Sequence, residues 1–236
     1  VLEADRIRAA LQIAAERALG AHSLPIVSLG STCYTAYLLQ GSGIKHASYP
    51  FDWIFSSPRM VADCLDEDFA KFLHREFYEP VPLERRRDGP DVNICDHTVY
   101  RDVFGVPFVF NHRNPCEAGD YAYFERCVRR FRTLVRERPV VLLHITHAGP
   151  EVALDLESFE ILSHAVRAYA PQARLLHITV YQDSGTCVPK SQVLRDRDGH
   201  TFIEFRAGSA WQALAFANPL DDMAALALAI GAANET

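Results

Sequence analysis

Val140-Val141-Leu142-Leu143-His144-Ile145-Thr146 is the stretch that decides the fold class, because its Leu-Leu-His-Ile-Thr returns at 175–179. Each copy is a short, nearly continuous apolar run, the pattern of a strand covered on both faces. The intervening segment from Leu156 to Tyr169 is long enough for a helix. Strand, helix, strand in that order predicts two parallel strands with a helix packed over them. If the two strands are neighbours they meet the same packing demands, which explains the echo without a duplicated domain.

Working outward, Arg174 to Tyr181 is the full second strand, Thr201 to Phe205 a further short one, and Met223 to Ala233 a buried C-terminal helix. Toward the N-terminus, Tyr121 to Glu137 reads as a helix and Pro107 to Asn111 as a strand. The three prolines between Glu79 and Asp91 mark an exposed excursion. A helix is expected from Pro58 to Leu65, capped by Ser57 with Pro58 in its first position. A short one is expected over Asp68 to His74. Leu24 to Leu29 is a buried strand ending at Gly30, and Ser31 or Thr32 caps a helix through Cys33, Ala36, Tyr37 and Leu38 that stops at Gly41. Leu2 to Leu19 repeats its apolar positions close to every 3.6 residues, an amphipathic helix closed by Gly20. The expected architecture is α/β: a single domain over 1–236, with an N-terminal helix in 1–20 and a core over 24–236. Its sheet is mixed or mostly parallel, with helices packed on it.

Of 236 residues, 49% are hydrophobic and 23% charged, and the formal net charge is −6. That balance carries no footprint for nucleic acid, and the basic run Arg85-Arg86-Arg87 is flanked by Glu84 and Asp88. The most apolar stretch, Met223 to Ala233, is far short of the roughly 20 residues a bilayer requires, so no membrane span is expected. Six cysteines at 33, 64, 95, 116, 127 and 187 contain no Cys-x-x-Cys pair, which argues against a zinc site or a small disulfide framework. Reduced thiols in a cytoplasm are the expectation, with no metal and no cofactor.

Chemistry enters with Ser28-Leu29-Gly30-Ser31-Thr32-Cys33. A helix N-terminus presents free N–H groups and a partial positive charge. A cysteine there ionises more readily, and thiolate is its reactive form. The same N–H groups can receive an oxyanion formed when sulfur attacks a carbonyl. The plain alternative is that Cys33 is a small apolar core residue.

The phrase Ser28-Leu29-Gly30-Ser31-Thr32-Cys33, followed by Ser48-Tyr49-Pro50-Phe51-Asp52-Trp53, resembles a bacterial family of unknown function described as putative papain-like cysteine peptidases. The likeness runs from about Pro25 to near Thr146. It implies that Cys33 is a nucleophile and that His112, in Phe108-Val109-Phe110-Asn111-His112, is the strand-borne base. The family often has an acidic residue after that histidine, where Arg113 stands here, so Asp52 becomes the candidate third member. Ser31, Thr32 and Trp53 are the implied substrate-binding residues. The resemblance also implies an alternative architecture, the papain-like α+β fold with its histidine on an antiparallel sheet.

The function expected on this basis is a thiol-dependent hydrolase or acyl transferase, acting through a Cys33–His112 dyad on a peptide or other acyl substrate. Two alternatives stand beside it. One is an enzyme of surface-polysaccharide or glycan modification, with a pocket lined by Tyr49, Trp53 and carboxylates. The other is a binding module in which Cys33 is structural. Minor constellations weigh less. His144 and His177, side by side on one sheet face, read as hydrogen-bonded strand-end histidines before they read as metal ligands. Ser31 in Gly30-Ser31 lacks the later Asp-x-x-His of an esterase, and Gly41-Ser42-Gly43 lacks the Lys-Ser/Thr of a phosphate loop.

Overall fold

The computed structural model of the chain describes residues 9, 12–20, 23–149, 153–182 and 188–234. Its main sheet has five strands in the order β1-β4-β5-β7-β6. These are β1 (Ile26–Ser28), β4 (Val141–Ala148), β5 (Arg174–Gln182), β6 (Lys190–Arg197) and β7 (His200–Ala207). The pairs β1–β4, β4–β5 and β5–β7 are parallel, and β6 alone runs antiparallel, against β7. β2 (Tyr78–Pro80) and β3 (Cys95–His97) form a separate antiparallel pair. Of the two expected architectures, the chain adopts the α/β one.

Helices cover both faces of the sheet. Along β4, Leu142 joins one core and Val141, Leu143 and Ile145 the other, which is the two-residue alternation of a strand between two apolar layers. One layer is built from α1 (Cys33–Gly41) and α6 (Pro219–Asn234), through Tyr34, Leu38, Leu39, Ala225, Leu226 and Ala229. The other is built from α2 (Pro58–Asp66), α4 (Ala118–Glu137) and α5 (Leu156–Tyr169). In α4, Phe124, Val128, Phe131 and Val135 fall on a single stripe and are buried, the spacing of an amphipathic helix. Between β3 and α4 lies the short α3 (Thr98–Phe104), ended by Gly105 at φ +66°.

The two Leu-Leu-His-Ile-Thr copies lie side by side in register, Leu142 on Leu175 through Thr146 on Thr179. His144 and His177 stack, with ring centroids 4.9 Å apart and planes 11° from parallel. His177 Nε2 is 3.2 Å from Thr179 Oγ1. Contrary to the expectation of two hydrogen-bonded rings, both nitrogens of His144 are buried without a partner. Among the described residues no group of three ligating side chains could hold a metal, and no helix is long and apolar enough to cross a membrane.

Several expected elements are corrected. Asp68 to His74 is a run of turns, not a helix, with Asp68 and Phe69 at positive φ. The aromatic cluster of Phe51, Phe69, Phe72 and Phe131 bends this segment so that both Phe69 and Phe72 point inward. Pro107 to Asn111 is not a strand: Phe110 alone bridges to Cys95, and Phe108 has φ +55°. The polar β6 is also present; the Asp198-Gly199 turn that joins it to β7, with both residues at positive φ, is a hairpin signal. The N-terminal helix is seen at Ala9 and over 12–18, Leu19 lies in a bend, and residues 2–8, 10 and 11 of the expected Leu2–Leu19 helix lie outside the described residues, as does Cys187.

Burial holds the His144 and His177 rings neutral; the approach of His177 depresses His144 further, and His177 is pushed down to about 3. An unfolded imidazole near 6.5 binds more protons than these buried rings as pH falls from 6.5 toward 3, so stability drops in that window. Thermal melts at pH 7 and pH 4.5 are expected to differ less for a His144→Leu/His177→Leu variant than for the parent chain.

Candidate active site

The site begins with a turn that few residues other than glycine enter. Gly30 has φ +82° and Ser31 φ +87°, so the chain leaves β1 through two left-handed residues and starts α1 at Cys33. The turn is tied on every side. Gly30 N–H donates to Ser28 Oγ at 3.1 Å, Ser31 N–H to Ser56 Oγ at 2.8 Å, and Thr35 Oγ1 to the Gly30 carbonyl at 3.2 Å. Ser56 N–H returns a bond to the Ser31 carbonyl at 3.1 Å. Thr32, not Ser31, caps α1: its Oγ1 accepts from Tyr34 N–H at 3.3 Å. Cys33 is thereby placed at the carboxyl end of a parallel strand, where open α/β sheets place their ligands.

His112 comes from an exposed loop, not from a strand. Its Nε2 is 3.7 Å from Cys33 Sγ, across 79 residues of sequence. Arg113 anchors this loop. Its guanidinium pairs with Asp120 Oδ1 at 2.7 Å and stacks 3.8 Å over the Tyr123 ring, while Asn114 N–H donates to Asp120 Oδ2 at 2.9 Å.

The sequence reading missed Asn111. It is 8% exposed, and its Oδ1 accepts from Asn93 N–H at 2.8 Å. That bond sets the orientation of the carboxamide. The amide nitrogen Nδ2 is therefore turned toward the site, 3.6 Å from Cys33 Sγ and 3.0 Å from His112 Nε2. The available signal was the Asn-His dipeptide itself, since a polar amide beside the proposed base is a donor within reach of it. Asn93, at φ +54°, had no signal beyond sitting in a turn-rich excursion.

Asp52 is 1% exposed, and its partners are Tyr49 and Lys45 and not His112. Oδ2 accepts from Tyr49 N–H at 2.7 Å and pairs with Lys45 Nζ at 2.9 Å. Burial raises its carboxyl above the usual range, while Lys45 and the Tyr49 N–H pull it back. Trp53 is half-buried with the Lys45 ammonium 6.0 Å from its ring centre. Tyr49 lines a different cavity, with Lys45, His46 and Arg138 against one carboxylate, Glu16. Trp53 is not among the residues that line it.

The expectation of an easily ionised thiol is overturned. Cys33 is 5% exposed. Burial raises its thiol above the usual value, and the Asn111 bond and the Cys33 backbone N–H offset this only in part. A buried thiolate loses more water than one helix N-terminus replaces, so the cysteine rests as the thiol.

Gly30 is the residue this geometry tolerates least change in. A Cβ there would lie 2.6 Å from Ser56 Oγ and 2.8 Å from the Phe51 carbonyl. Left-handed backbone costs another residue about 1–2 kcal/mol before any clash. Gly30→Ala is expected to lower the melting temperature by roughly 4–8 °C, measured by circular dichroism.

No curated protein and no solved structure matches the chain. The family model of the putative papain-like cysteine peptidases matches residues 25–181, a span holding the Gly30–Ser31 turn, Cys33, the Pro50-Phe51-Asp52-Trp53 block and the Asn111–His112 loop. With well over half its length matched, the chain belongs to that family.

Proposed function

We propose that the protein is a thiol-dependent acyl hydrolase or acyl transferase in which Cys33 is the nucleophile and His112 the base. The observation that carries this reading is the 3.7 Å approach of Cys33 Sγ to His112 Nε2. Nε2 also faces Asn111 Nδ2 at 3.0 Å. An N–H donor directed at Nε2 favours the tautomer with its proton on Nδ1, which leaves Nε2 unprotonated and able to take the thiol proton as the Asn111 bond gives way.

In the forward step Sγ bonds to the substrate carbonyl carbon as the thiol proton passes to Nε2. The carbonyl oxygen takes the negative charge. Two donors stand beside the sulfur to receive it: the Cys33 backbone N–H in the first turn of α1, and Asn111 Nδ2, released from Nε2 once that nitrogen is protonated. Collapse breaks the bond to the leaving group, which departs with the proton from His112. A thioester on Cys33 remains, and water or a second nucleophile resolves it. Because the resting thiol is neutral, proton transfer and attack proceed together, and the base is needed at the moment of attack.

Asp52 serves this reading through Lys45 and the Tyr49–Asp52 turn, which positions the Pro50-Phe51-Asp52-Trp53 block behind the Gly30 turn. Phe51 is central there: its carbonyl and Cβ abut Gly30, and its ring packs on Phe69, Phe72 and Phe131.

With p-nitrophenyl acetate as the probe, the protein is expected to release a burst of p-nitrophenol and to carry an acetyl group on Cys33 by peptide mass mapping. Cys33→Ala removes both, His112→Ala slows acylation about 10²–10⁴-fold, and Asn111→Ala slows it about 10²-fold. Acetylation unaffected by either neighbour would leave Cys33 an ordinary thiol and end the proposal. Iodoacetamide labelling of Cys33 is expected to keep rising with pH beyond 9. A rate flat down to acid pH would instead mean a preformed thiolate.

A further inference from the structure

A cavity of about 380 Å³ has Ser56 and Asn93 in its wall. Both residues are bonded to the site. Ser56 Oγ accepts from Ser31 N–H, and Asn93 N–H orients the Asn111 carboxamide. The cavity is therefore linked to Cys33 through Asn111, whose Nδ2 lies 3.6 Å from the sulfur, and to the turn before it through Ser31. Its remaining wall comes from Phe55 and from the 104–108 loop, which contributes Phe104, Pro107 and Phe108. Three aromatic rings and a proline are an apolar lining within hydrogen-bond paths of a nucleophile, the composition of a specificity pocket.

The wall of the cavity includes backbone that most residues avoid. Phe108 has φ +55°, Asn93 φ +54° and Asp88 φ +64°, and all three line the cavity. Phe108 N–H is fixed by the buried Asp96 carboxylate, and Phe55 N–H by the Val109 carbonyl at 2.9 Å. Conformations of this cost persist where the surroundings enforce them, and they gather at binding sites. At the rim, the Arg87 guanidinium lies 5.4 Å from the Phe108 ring centre, with Asp88 beside it. Their opposite charges offset, so the cavity selects by shape and apolarity and not by charge.

We infer that this cavity seats an aromatic side chain or acyl group of the substrate, next to the carbonyl that Cys33 attacks. The inference rests on the acyl-transfer reading of Cys33 and adds the substrate class to it. Ring-on-ring contact with Phe104 and Phe108 supplies binding beyond simple burial. The volume exceeds that of one phenyl ring, so a naphthyl or indole group also fits.

The test is a panel of peptidyl acyloxymethyl ketones that differ only in the residue beside the ketone: Phe, Ala, Asp or Lys. Inactivation rates are read with the wild-type chain, and labelling is located by mass mapping. The phenylalanine probe is expected to label Cys33 about tenfold faster than the alanine probe or more, with Asp and Lys no faster than Ala. Phe104→Ala, shown folded by its melting curve, should bring the Phe-to-Ala ratio toward unity. Acetylation of Cys33 by p-nitrophenyl acetate, with equal rates across the panel, overturns the pocket and leaves the acyl-transfer reading intact. A ranking led by Asp or Lys overturns it as well. A Cys33 inert to every probe, p-nitrophenyl acetate included, overturns both.

Discussion

The left-handed passage through Gly30 and Ser31 is the constraint on which the rest of the site depends. A strand that runs directly into a helix must reverse its hydrogen-bonding habit within two or three residues, and here it does so with both linking residues at positive φ. Ser28 and Thr35 meet only part of that conformational cost locally. It is offset by Ser56, which accepts from one side of the turn and is itself held by the Ser31 carbonyl, and by the Phe51 backbone pressed against Gly30. The Pro50-Phe51-Asp52-Trp53 block thus reads as the buttress of the cysteine turn, which accounts for two motifs being found together although they lie well apart in sequence.

The electrostatics of the cysteine are a contest between position and burial. A helix N-terminus favours the thiolate by a modest amount that decays within one turn. Removal from water disfavours it more strongly, and the buried sulfur shows the second effect winning. Asn111 is the group that mediates between the two. Its carboxamide is oriented by a backbone N–H from a neighbouring loop, so its donor faces the sulfur and the imidazole without needing either to be charged.

Burial acts on the sheet in the same sense. The central strands are covered on both faces over most of their length, and His144 and His177 are sealed from solvent there. His144 and His177 are held as a stacked neutral pair among aromatic neighbours, Phe159 and Phe202 packing on His177. Their repeated motif reflects strand adjacency: two parallel strands in register present the same side chains at the same depth.

The sequence by itself determined the α/β class, the helices Pro58–Asp66, Ala118–Glu137 and Leu156–Tyr169 to within a few residues, and the strand–turn–helix that carries Cys33. Those features arise from periodicity, capping and glycine chemistry, which act over short spans of chain. The tertiary structure alone decided the rest. Asp68–His74 gave up a helix so that Phe69 and Phe72 could both enter the aromatic core. Pro107–Asn111 gave up a strand because Asp96 and Cys95 bind its backbone from across the loop. The nearness of His112 and Asn111 to Cys33, and the aromatic cavity beyond Ser56 and Asn93, are likewise products of contacts between segments dozens of residues apart. Long-range packing sets those contacts, and no local pattern in the chain encodes it.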